Sequence, residues 1–238
     1  MTQARLAPLE LPLLPRPDTA PELPPAIYPT RLERLRERAA ERRYDQLVVC
    51  ADREHSANLA YLTGFDPRFE EAILVLGPTG RTVLLAGNEC LGLARLAPLP
   101  VEAVLFQELS LPSQPRDRSR PLADILADAG VRHGSRVGVV GWKGSGDPSW
   151  IAAPAFLVDA LRAIASSSGS VEDATDLLID AGDGLRVINE PEQIAVFEHA
   201  ACETSSGVRN LLFGLRPGMR EREAVRLLEW SGAPLSCH

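Results

Sequence analysis

Apolar residues along the first two thirds of the chain come in short runs separated by polar and turn residues, and the runs alternate between two periods. After Tyr28-Pro29-Thr30, the segment RLERLRERAAERRY sets Leu32, Leu35 and Ala39 at helical spacing, which predicts an amphipathic helix with Thr30 as its cap. Asp45 turns the chain into QLVVCA, a short β-rich run bounded by polar residues and read as a strand. Ser56 to Leu62 reads as a short helix closed by Gly64, and EAILVLGPTGRTVLLAG as two strands joined by a Gly-Pro-Thr-Gly turn. NECLGLARLA is helical by spacing, VEAVLFQ is a strand, and RPLADILADAG is a helix stopped by Gly130. RVGVVGW is the next strand, WIAAPAFLVDALRAIA an apolar helix, and SVEDATDLLIDAG leads the chain towards a linker. Strands and helices interleave but one early pair is a hairpin, so the expected architecture is a mixed sheet covered by helices.

The ends differ from this middle. Pro8, Pro12, Pro15, Pro17, Pro21, Pro24, Pro25 and Pro29 crowd the first thirty residues, which removes backbone donors and predicts an extended arm, neither helix nor strand. Such an arm can bind a partner's aromatic groove or lie over its own or a neighbouring subunit. Past residue 188, NEPEQIAVFEHAACETSSGVRNLLFGL carries Ile194, Phe197, Ala201, Val208, Leu211 and Leu212 at helical spacing. Asn189 is its expected cap, with Pro191 tolerated in the first turn. Arg216-Pro217-Gly218 breaks that helix and REREAVRLLEW starts another. Two helices with apolar faces and no strand cannot complete a core, so this last unit is expected to be cut short.

The length of 238 residues allows one large domain, or one domain and part of another. With Asp+Glu 32 against Lys+Arg 25 and a formal net charge of -7, the chain lacks the basic surface that nucleic-acid binding needs. The one dense basic stretch, Arg31 to Arg43, alternates with Glu33, Glu37 and Glu41 and reads as a solvated helix laced with charge pairs. Cys50, Cys90, Cys202 and Cys237 have no CxxC spacing, so neither a zinc knuckle nor a dense disulfide framework is suggested. No unbroken apolar run of signal-peptide length opens the chain, and none approaches the roughly 18 residues of a membrane span. A cytoplasmic protein without nucleic-acid or membrane partners is expected.

Candidate chemistry is sparse. Gly141-Trp142-Lys143-Gly144-Ser145-Gly146 follows a strand but lacks the full phosphate-loop spacing, and turn chemistry accounts for it better. Asp173, Asp176, Asp180 and Asp183 fit no EF-hand loop and read as caps and solvated edges. His55, His133 and His199 have no second histidine or cysteine at ligand spacing, and no GxSxG elbow frames a nucleophile.

The order of three phrases adds to this. RLERLRERAAERRYDQLVVCADREHSANLAYLTGF, then LRVINEPEQIAVFEHAA, then LRPGMREREAVRLLEW together resemble the creatinase, prolidase and Xaa-Pro aminopeptidase family. NLAYLTGF (Asn58 to Phe65) is similar to the family's N-terminal-domain phrase, and LRPGMREREA (Leu215 to Ala224) to its second catalytic-domain helix. Arg186-Val187-Ile188-Asn189-Glu190-Pro191-Glu192 resembles the joining phrase, with Asn189 where lysine is usual. The resemblance covers about Thr30 to His238 and implies an α/β fold: a ribonuclease H-like creatinase N-terminal domain with a mixed sheet flanked by helices, followed by a truncated pita-bread α+β domain. The corresponding boundaries are a proline-rich arm at 1–29, the N-terminal domain at 30–184, and the first catalytic-domain helices at 185–238.

The same resemblance implies a metallohydrolase in which two divalent ions (Mn, Co or Zn) activate a bridging water against an amide bond beside proline. Its ligands, two Asp, one His and two Glu, would lie beyond this chain, which is therefore expected to be inactive alone. His238 falls near the family's pocket-shaping histidine on the strength of GAPLSCH; a terminal histidine without a role is the plainer reading. By analogy, the N-terminal domain would build a homo-oligomer and gate peptide substrates, with residues near Asn58 to Phe65 taking part. Two alternatives remain: a naturally short, non-catalytic oligomerisation or binding module of the family, and a fragment of a creatinase-like, metal-free amidinohydrolase.

Overall fold

The computed structural model describes residues 7, 8, 10, 19–78 and 80–230; His238 and the GAPLSCH segment lie outside them. Contacts divide the chain into a unit at Pro24–Ile188 and another containing the helices from Asn189 onward.

The first unit is built on six strands: β1 Gln46–Ala51, β2 Ala72–Leu76, β3 Thr82–Ala86, β4 Glu102–Leu105, β5 Arg136–Val140 and β6 Ser170–Asp173. Their order across the sheet is β4-β3-β2-β1-β5-β6. The hairpin makes β2 antiparallel to both β1 and β3, with Val48 opposite Val75 and Leu74 opposite Leu84. The pairs β3–β4, β1–β5 and β5–β6 are parallel, so the sheet is mixed. The helices of this unit are α1 Ile27–Glu41, α2 Ala57–Thr63, α3 Leu91–Ala94, α4 Leu122–Asp128, α5 Ala155–Ala165 and α6 Asp176–Ile179.

Strands β1, β2 and β3 are buried along their whole length, as strands covered on both faces must be. Since successive side chains point to opposite faces, Val48, Cys50, Ile73, Val75, Val137 and Val139 share one core with Ile125 and Leu126 of α4 and Leu157 and Leu161 of α5. On α1 and α2, Leu32, Leu35, Leu59 and Leu62 are likewise buried.

Several local details differ from the sequence reading. Helix α1 starts at Ile27 rather than after Thr30, and Thr30 Oγ1 donates to the Ala26 carbonyl instead of capping. Ile27 and Tyr28 are buried, and Pro29 sits in the first turn, where a missing N–H costs nothing. Nor is α1 simply solvated: Arg31 is 1% exposed, its guanidinium 4.1 Å above the Tyr61 ring. Arg36 bonds the Gly77 carbonyl and Thr82 across the fold, and Arg42 bonds Asp176 at 2.8 Å. The segments around α3 and α6 give one helical turn each, and Ser170–Asp173 pairs as an edge strand instead of dissolving into a linker.

In the second unit α7 spans Pro191–Gly214 and α8 spans Glu221–Arg226. The cap of α7 is Glu190, one residue after the expected Asn189. Glu223 accepts the Arg220 N–H at 2.8 Å to open α8. Gly207 and Gly214 of α7 make room for Leu228 and Leu227; a Cβ at Gly214 would come within 2.8 Å of Leu227.

Candidate functional site

Parallel pairing brings the carboxyl ends of β1 and β5 to one edge of the sheet, where the amino end of the antiparallel β2 also arrives. In open α/β sheets this is the edge at which crevices form. Asp52 follows β1, Glu71 precedes β2 and Trp142 lies just beyond β5, and all three line a cavity of about 170 Å³. Cys50 is in its wall, as are Pro154 and Phe156 at the head of α5.

The loop after β1 is ordered by its own acid. Asp52 Oδ1 accepts the N–H groups of Glu54 and His55, both at 2.8 Å, and His55 Nδ1 lies 2.9 Å from Oδ1 and 3.0 Å from Oδ2. The His55 ring stacks on Trp142 with centroids 5.0 Å apart and planes inclined by 29°. Burial opposes ionisation of Asp52, but the bonds to the His55 ring and to the two N–H groups outweigh it and hold this carboxyl below the usual range. Glu71 moves the other way, because partial burial of its carboxyl and then the neighbouring charge of Asp52 push it up. Burial, followed by the charges of Glu71 and Asp52, raises the Cys50 thiol to about 12. Cys50 is therefore a protonated wall residue near neutral pH, not a nucleophile, and the arrangement suits binding better than covalent catalysis.

A second constellation locks the end of the unit. Asn58 Nδ2 donates to the Gly141 carbonyl at 2.9 Å, and Arg186 Nη1 donates to Asn58 Oδ1 at 2.7 Å. Tyr61 Oη donates to the Leu185 carbonyl at 3.0 Å, and Arg31 Nη1 to the Tyr61 carbonyl at 3.0 Å. The Asn58 to Phe65 phrase thus meets the Arg186 phrase directly, and Asn58, Tyr61, Thr63 and Phe65 are buried. The exposed positions just after it are Asp66, Arg68 and Phe69.

The remaining sequence candidates are structural. Asp173 accepts the N–H and hydroxyl of Thr175 and the N–H of Ser145, which anchors the glycine-rich turn after β5. Asp176 pairs with Arg42, Asp183 lies 3.8 Å from Arg38, and Asp180 accepts the Gly182 N–H. His133 lies within hydrogen-bond distance of the Ser168 hydroxyl, and His199 lies on α7 in the other unit. Among the described residues no group of three or more His, Cys, Asp or Glu could hold a metal ion, so those residues do not fit the pair of divalent ions that the resemblance implies. No helix among them is long and apolar enough to cross a membrane. The sequence reading missed the Asp52, His55, Glu71 and Trp142 grouping; its one local signal was Asp-x-x-His directly after a strand.

Residues 31–143 match the family model described as the creatinase/prolidase N-terminal domain. Among solved structures, the prolidase from Thermococcus sibiricus is 17% identical with a TM-score of 0.61, over 85% of this chain and 48% of its own. The Xaa-Pro dipeptidase from Bacillus anthracis is 16% identical with a TM-score of 0.58, over 85% and 48%. A dipeptidase from Pyrococcus horikoshii is 21% identical with a TM-score of 0.57, over 84% and 48%. The chain therefore spans about half the length of these structures, and at such identities the likeness establishes the fold. The search of curated proteins returned no match.

Proposed function

Because residues 31–143 match the creatinase/prolidase N-terminal domain, we propose that the chain is the N-terminal part of a Xaa-Pro aminopeptidase or prolidase-like metallohydrolase. Its domain at 30–184 serves oligomerisation and substrate gating, the helices of 185–238 begin a pita-bread catalytic domain, and the protein works in the cytoplasm. The observation that carries this reading is the family match together with a fold likeness to prolidases that runs through 85% of this chain and stops at about half of theirs. Two divalent ions bound in a complete relative would supply the activated water. The described residues offer no cluster to hold them, so no hydrolytic step is assigned to this chain.

The test is twofold. The 238-residue protein, incubated with Xaa-Pro dipeptides and Mn, Co or Zn, is expected to release no proline, and sedimentation velocity is expected to find a defined homo-oligomer. Metal-dependent proline release would overturn the placement of the chemistry elsewhere. A monomer at every concentration would overturn the oligomerisation role. A second reading, a non-catalytic module that pairs with another chain, is favoured by one observation: Ile194, Phe197, Val208 and Leu212 of α7 are all exposed.

A further inference from the structure

The cavity at the carboxyl ends of β1 and β5 has features that the peptidase reading does not use. Two carboxylates from different segments, Asp52 and Glu71, line it, and the charge of Asp52 reaches Glu71. Asp52 is largely occupied: Oδ1 takes two backbone N–H groups, and both oxygens face the His55 ring. Glu71 differs, because among the described residues no donor or cation pairs with its carboxylate. Trp142, stacked on the His55 ring, and the half-exposed Phe156 supply aromatic lining. A carboxylate pair beside an indole face is the chemistry that recognises an organic cation, since the ring quadrupole and the charges attract it together.

We infer that this cavity binds a small organic cation bearing a primary ammonium group, with Asp52 and Glu71 as its carboxylate partners and Trp142 as its aromatic wall. The volume of about 170 Å³ suits a short alkylammonium and falls below the roughly 300 Å³ at which drug-sized ligand pockets begin. Acceptors supplied from two separate elements suit a compact ammonium with three divergent donors better than a planar guanidinium, which prefers two parallel oxygens of one carboxylate. Phe156 also borders a larger groove of about 650 Å³ rimmed by Arg116 and Arg120. Both arginines already pair with acids, Glu108 and Asp128, so the cation cavity is the better defined of the two.

The experiment uses the whole chain and n-butylammonium chloride, followed by the indole N–H resonance that Trp142→Phe removes, with sodium chloride at equal ionic strength as the blank. A saturable shift in the millimolar range is expected, while the neutral isostere n-butanol leaves the resonance in place. Glu71→Gln, at an exposed residue, should weaken binding at least tenfold with an unchanged circular dichroism spectrum. Glu54→Gln, a neighbouring acid outside the cavity wall, should leave binding unchanged. No saturable shift, equal binding of n-butanol, or full affinity in Glu71→Gln would each overturn the site. Tighter binding of methylguanidinium than of n-butylammonium would overturn the ammonium assignment.

Discussion

Asn58 joins three stretches of chain through one amide: its nitrogen serves Gly141 beyond β5, and its oxygen takes Arg186 at the end of the unit. Removing it leaves a buried carbonyl and a half-buried guanidinium short of a partner, and a buried polar group so abandoned costs about 1–3 kcal/mol. Asn58→Ala is therefore expected to lower the free energy of unfolding by about that amount, read from the urea midpoint at constant slope. Asn58→Asp should lose less, because Arg186 still finds an oxygen. Asp52 and Glu71 give the pH dependence, with opposite signs. The pKa of Asp52 is depressed in the folded state, so its contribution is present above the ordinary carboxylate value and is lost as pH falls through the depressed one. Asp52→Asn should accordingly flatten the acid limb of the stability profile. The pKa of Glu71 is raised, so its contribution is present below the ordinary value and is lost as pH rises through the raised one. Glu71→Gln is expected to raise the melting temperature at pH 7 relative to wild type, and to leave it nearly unchanged at pH 3.

Helix α2 ends at Gly64 because the chain must turn left-handed there, at φ 71°. A Cβ at that position would also sit 2.7 Å from Pro98 and 2.9 Å from Tyr28. Left-handed geometry costs a non-glycine residue roughly 1–2 kcal/mol, and the crowding adds to it. Gly64→Ala should therefore destabilise by about 2 kcal/mol or more in thermal or urea unfolding, whereas Gly80→Ala, at a positive φ with no neighbour within 4 Å, should cost only the backbone part. The residues that made this turn readable from sequence were of the same kind: a glycine after an apolar helix, and Gly-Pro-Thr-Gly between two β-rich runs. Legible elements were those whose local pattern agreed with their burial, such as β1 to β3 and α5. Where a tertiary contact set the boundary, the pattern misled. Ile27 and Tyr28 extend α1 backwards because they are buried, and β6 exists because Arg136–Val139 offers it a parallel partner. The cavity was illegible for the same reason. Its residues come from positions 50 to 156, and only the antiparallel return of β2 beside the parallel β1–β5 pair puts Glu71 and Trp142 next to Asp52.

At the scale of the whole chain, the two units differ in how their apolar residues are used. In the unit at 24–188 the sheet buries them on both faces. In α7, Ile194, Phe197, Val208, Leu212 and Phe213 are exposed, and apolar side chains left uncovered in this way drive association. Two kinds of self-association then follow and can be separated. The proposed oligomer of the N-terminal domain should be stoichiometric and insensitive to α7, whereas contact through the α7 face should grow with concentration and weaken on cooling, as hydrophobic contacts do. Phe197→Glu with Leu212→Glu should abolish the concentration-dependent species in sedimentation velocity while a defined oligomer persists. If the double substitution instead yields a monomer, the interface belongs to the second unit, and α7 becomes the surface through which the chain meets its partner.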